Sequence, residues 1–100
     1  MLSFKQYMTE QKTLNKYIVE AEKIAKTLYK NNMDVYVDSD YEFNIGTSDP
    51  EVFNPTKQQV TVVANKIKSK LKGARVSVHE TKYNSDMNSV TIAVSIPELM

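Results

Sequence analysis

The stretch MDVYVDSDYEFNIG, residues 33–46, decides the fold. Met33, Val35 and Val37 alternate with Asp34, Tyr36 and Asp38, and Tyr41, Phe43 and Ile45 alternate with Glu42 and Asn44. A period of two belongs to a strand with one face buried and the other in water. Ser39-Asp40, between the two runs, suits a tight turn. The stretch therefore predicts a β-hairpin.

Upstream the period is 3.6. Leu14, Tyr17, Ile18, Ala21, Ile24, Ala25 and Leu28 recur at steps of three and four, the stripe of an amphipathic helix. Ser3 and Gln6 have capping-box spacing, and Leu2 and Tyr7 can staple that start. The stripe weakens at Gln11. Asn31-Asn32 reads as the stop, because Asn tolerates a left-handed cap.

Downstream, Gly46 to Pro50 reads as a loop. Asn54-Pro55 can open a second helix, and Thr56 with Gln59 forms a competing capping box two residues later. Val60, Val63, Ala64, Ile67 and Leu71 form its stripe, and Gly73 ends it. Ala74, Val76 and Val78 then alternate with Arg75, Ser77 and His79; Val90, Ile92, Val94 and Ile96 alternate with Thr91, Ala93 and Ser95. The intervening residues 82–87 read as a loop, and Pro97 closes the last strand.

The predicted order is α-β-β-α-β-β. Four alternating strands and two amphipathic helices predict an α+β two-layer sandwich, a four-stranded antiparallel sheet covered on one face. Two arrangements share this order. One is a ferredoxin-like sheet with its first strand moved to the end of the chain. The other is a pair of side-by-side α-β-β units, with strands that could pair across a dimer.

The sequence has 100 residues, 41% hydrophobic and 25% charged, which suits one modest core and a single domain over residues 1–100. It contains no cysteine, so disulfides and thiolate metal sites are excluded. No apolar run approaches the roughly 18 residues of a membrane span, and the opening residues lack the continuous apolar core of a signal peptide. The net charge of +1 conceals an asymmetry. Residues 1–32 carry six lysines against three glutamates, residues 33–54 carry six acids and no base, and residues 55–100 carry seven bases against three acids.

Three groups of residues are candidate sites. Asp38, Asp40 and Glu42 resemble the start of a calcium loop, but the sixth position is Phe43 rather than Gly and the twelfth is Asp49 rather than Glu. No metal or other cofactor is expected. His79, the sole histidine, falls on the wet side of its strand with Arg75 and Ser77. General acid–base work needs an oriented partner that the sequence does not supply, so no catalytic residue is assigned and an enzyme is not expected. Lys66, Lys68, Lys70, Lys72 and Arg75 crowd the end of the second helix, while Lys12, Lys16, Lys23, Lys26 and Lys30 lie mostly off the stripe of the first. These could bind a polyanion by releasing its counterions. Lysines on outer helix faces are more often solubilising, and cations near a helix C-terminus stabilise it. Base stacking would want aromatics on the wet sheet face, where Tyr36 stands alone. Nucleic acid is therefore the lesser reading.

The opening MLSFKQYMTEQ, through Phe4-Lys5, Tyr7-Met8 and Thr9-Glu10, resembles the N-termini of small proteins of contractile-tailed phages, including marine cyanophages. The resemblance covers about a tenth of the chain. Some head proteins of that group are trimmed after a Glu two places beyond Leu or Ile, a pattern that Ile18-Val19-Glu20 fits and Met8-Thr9-Glu10 fits loosely. Ile18 lies on the core stripe, so a cut after Glu20 should break the domain. The resemblance implies a phage accessory or virion-associated protein, in host cytoplasm or virion, and assigns no residue a role. With no catalytic residue assigned, the protein is expected to be non-enzymatic. It would act through protein contacts, by self-association or with another phage protein. Tyr36, His79, Phe4, Tyr7 and Met8 are its candidate interface residues.

Overall fold

The computed structural model describes residues 12–84 and 87–100. The Ser3 cap, the Leu2–Tyr7 staple, the interruption at Gln11 and the interface candidates Phe4, Tyr7 and Met8 lie outside the described residues.

Helix α1, Lys12–Tyr29, buries Leu14, Ile18, Ala21 and Ala25, with Tyr17, Ile24 and Leu28 half-buried beside them. Tyr29 joins this set at 1% exposure, although it stands beyond the predicted stripe. Its cover comes from a distant loop: Phe53 meets its ring edge-on, with centroids 6.2 Å apart and planes at 84°. The helix ends in a left-handed residue, but that residue is Lys30 at φ 53°, not an asparagine. Asn31 and Asn32 complete a short 3-10 turn, Lys30–Asn32. The Asn32 carbonyl already accepts the Ser48 N–H at 2.6 Å, so the chain must reverse before it.

Strands β1, Met33–Ser39, and β2, Glu42–Thr47, form the predicted hairpin. Its turn is Asp40-Tyr41 rather than Ser39-Asp40. Tyr41 is drawn out of the strand pattern, its carbonyl accepting the Ile96 N–H at 2.8 Å, and a bulge between Val37 and Ser39 absorbs the offset.

Helix α2, Lys57–Lys70, starts at the second of its two competing signals. The Thr56 hydroxyl accepts the Gln59 N–H at 3.2 Å, and the Gln59 side chain accepts the Thr56 N–H at 2.9 Å. Both halves of the capping box are therefore formed. Asn54 instead donates from its side-chain amide to the Asn88 carbonyl at 2.7 Å, tying the loop to the sheet. Gly73, at φ 85°, turns the chain after the helix.

Strands β3, Arg75–Asn84, and β4, Met87–Ser95, make a longer hairpin than the sequence predicts. Residues assigned to a loop, Lys82 to Met87, largely continue the ladder through Lys82↔Asn88 and Asn84↔Met87.

The sheet order is β1-β2-β4-β3, all neighbours antiparallel. This order satisfies both predicted arrangements. It is the permuted ferredoxin-like order and also two α-β-β units joined along β2 and β4. The four strands pair within one chain, so the ladder needs no second copy. One helix lies over each half, α1 on β1 and β2, α2 on β3 and β4, and the helices pack on each other. Two cross-strand rows face them: Val35, Ile45, Ile92, Val78 and Val37, Phe43, Val94, Val76. Phe43, Ile45, Ile92 and Val94 on the two central strands are at most 2% exposed. Burying each such side chain contributes about 1.5–3 kcal/mol.

Candidate functional site

Among the described residues the helices cover one face of the sheet and leave the other bare. Register places three rows of side chains on that bare face. The first runs Asp34, Gly46, Thr91, His79. The second runs Tyr36, Asn44, Ala93, Ser77, and the third Glu42, Ser95, Arg75, with Ser39 beyond Glu42. Side chains on the β4 line are small, so the face is hollowed along its middle.

Part of the hollow is a cavity of about 260 Å³ between Asp38, Glu42 and Asn44 on one bank and Arg75, Ser77 and His79 on the other, with Ala93 and Ser95 between. Glu42 and Arg75 lie two strand spacings apart, about 10 Å, with Ser95 between them. One bank is therefore acidic and the other basic. No ion pair within the chain joins them among the described residues.

The acidic bank is held by local hydrogen bonds. Asn44 donates from its amide to Asp38. Ser39 donates its hydroxyl to Glu42 at 3.1 Å, and Tyr36 donates to Asp34 at 3.0 Å. Desolvation, with the hydrogen bond to Asp34 and that residue's charge, pushes the Tyr36 phenol above its ordinary range. Asp40 stands in the turn and is exposed. No group of three or more His, Asp or Glu side chains positioned to hold a metal ion occurs among the described residues.

On the basic bank, Ser77 Oγ and His79 Nε2 share a hydrogen bond of 2.8 Å. That is the contact of a nucleophile with its base. A working pair also needs a group orienting the other ring nitrogen and donors for an oxyanion. Among the described residues nothing orients that second nitrogen. The adjoining part of β4, Ile92 to Ser95, is in ladders with β2 on one side and β3 on the other.

The structure does not gather the predicted basic cluster into one patch. Lys66 and Lys70 flank the α1–α2 seam, where a shallow groove of about 520 Å³ runs past Ile24. Lys68, about 160° round the helix from them at 100° per residue, lies on the opposite flank. Lys72 is exposed beyond the helix end. Arg75 is on the other side of the molecule altogether, on the bare sheet face. Strand alternation sends Arg75 and Val76 to opposite faces, a separation that proximity in sequence conceals. Lys23, Lys26 and Lys30 line a third depression with Val19 and Met33, and Lys23 pairs with Glu20 at 3.6 Å.

Tyr36 and His79 do share the bare face, as the alternation predicts, at opposite banks. The sequence reading missed the partnership of Arg75 with Glu42 and Asp38 as facing banks. The alternation pattern held the signal that all three lie on one face. Their approach depends on β2 pairing with β4.

Comparison with protein-family models, with curated proteins and with solved structures finds no match to this chain. No helix of the described residues is long and apolar enough to cross a membrane.

Proposed function

We propose that this chain is a non-enzymatic protein that works by binding protein through its bare sheet face, in the phage setting that its opening residues suggest. One observation carries the reading: among the described residues a whole face of a four-stranded sheet lies outside the domain's own core, hollowed by small residues and banked by opposite charges. A face of that relief and polarity offers a partner both a shape to fill and a charge pattern to match. The sheet edges are poorer candidates. Each edge strand carries a bulge, between Val37 and Ser39 on β1 and between Lys82 and Asn84 on β3, and a bulge interrupts strand addition.

The polyanion alternative rests on the groove beside Lys66 and Lys70. It expects labelled DNA or RNA to shift at low salt and to be released when both lysines are neutralised.

A photo-reactive amino acid at Ala93, in the hollow, tests the reading against the same probe at Lys68, on the helical layer. In cells that make the protein naturally, the Ala93 probe should form adducts with protein and the Lys68 probe should not. Adducts formed from Lys68 alone, or with nucleic acid alone, would overturn the reading.

A further inference from the structure

Resting on that reading, we infer that the partner on the bare face is a second copy of this chain, packed face to face about a two-fold axis parallel to the strands. Such an axis exchanges the left and right banks and preserves height along the strands. β1 of one copy then lies over β3 of the other, and β2 over β4. An axis across the strands would instead set acid on acid and base on base.

The three rows match under this operation. Asp34 comes over the partner's His79. Tyr36, 53% exposed and the largest side chain on the face, comes over the partner's Ser77. The Asp38 and Glu42 bank comes against the partner's Arg75. The largest side chain of the face thus meets a serine, and acid meets base twice by symmetry. A self-complementary patch of this kind is what an isologous dimer requires.

The size of the face limits the strength. Four strands about 4.8 Å apart, six to ten residues long, present roughly 500 Å² per copy, near the low end of specific interfaces. Self-association should therefore appear at micromolar concentrations and above, and weaken with salt.

Sedimentation of the purified full chain against concentration tests this. Wild type should shift from monomer to dimer. Arg75→Glu alone sets two acidic banks together, and Glu42→Arg alone sets two basic ones; each should weaken the dimer by about tenfold or more. An equimolar mixture of the two variants should recover a heterodimer, and the double exchange in one chain should recover the homodimer. Recovery in the mixture is the decisive result, because a fold defect in either variant could not produce it. As a second measurement, concentration-dependent amide shifts in wild type should fall on Tyr36, Ser77, His79 and Ala93 and spare the helices. A chain that stays monomeric to millimolar concentration, or a dimer indifferent to both reversals, would overturn the inference. The Ala93 adducts separate the two ideas: a different protein there defeats the self-partner but not the contact reading, whereas no protein adduct defeats both.

Discussion

Tyr29 has a buried hydroxyl with no hydrogen-bond partner among the described residues. Its ring is well placed, 1% exposed and edge-on to Phe53, so the ring stabilises while the hydroxyl does not. An unsatisfied buried hydroxyl costs about 1–3 kcal/mol. Tyr29→Phe keeps the ring, removes the desolvated group and gives up only the few contacts of one oxygen. The net expectation is a gain of about 1 kcal/mol, or roughly 4–8 °C in Tm for a domain of this size.

The same burial gives a second, independent reading of that hydroxyl. It pushes the phenol from 10.0 up to about 12. Between those values the folded state holds a proton that the unfolded state has lost, so unfolding releases it and stability falls as pH rises. The stability is fully present below pH 10 and is lost as pH rises towards 12. At about 1.4 kcal/mol per pH unit, the loss across the window is roughly 2.7 kcal/mol. Urea unfolding followed by circular dichroism, at pH 8 and at half-unit steps from 10 to 11.5, should show the gap between variant and wild type widening with pH. Other tyrosines and lysines titrate in both proteins and cancel in the difference. Absorbance titration of tyrosinate should show that the last of the six tyrosines to ionise in wild type is missing from the variant. A Tyr29→Phe protein that is less stable at pH 8, with a gap that does not widen, would refute the reasoning and mean that the hydroxyl is satisfied.

Thr56→Ala removes the cap of α2 and leaves the Gln59 N–H without its acceptor. The loss should be about 1 kcal/mol by urea midpoint. Lys30→Gly relieves a left-handed backbone that costs a side-chain-bearing residue about 1–2 kcal/mol at φ 53°; after glycine's greater unfolded-state freedom, a gain near 1 kcal/mol should remain in thermal melts. Phe43→Ala empties the centre of the sheet at a residue 1% exposed, and should cost about 3–5 kcal/mol, a large share of the usual margin of about 5–15 kcal/mol, read as a lowered urea midpoint.

The sequence by itself determined the elements, because hydrophobic periodicity is a local record of which side chains meet the core. The stripe of α1, the four alternating strands and the Thr56–Gln59 capping box could all be read without knowing their neighbours. The record fails where no core is nearby to write it. Lys82 and Asn84 pair with β4 at the end of the sheet, where the sequence Lys82-Tyr83-Asn84 has lost the apolar–polar alternation, so a strand reads as a loop. It fails again where a contact comes from far along the chain. Phe53 buries Tyr29, and the Ile96 N–H takes the Tyr41 carbonyl and moves the turn by one residue. Tertiary structure alone decided the pairing of β2 with β4, and with it the site. That pairing sets Arg75 across from Glu42 and Asp38, which lie more than thirty positions earlier in the chain, and parts Arg75 from the lysines beside it in sequence. Periodicity says which face a side chain takes; only the order of strands says what stands beside it.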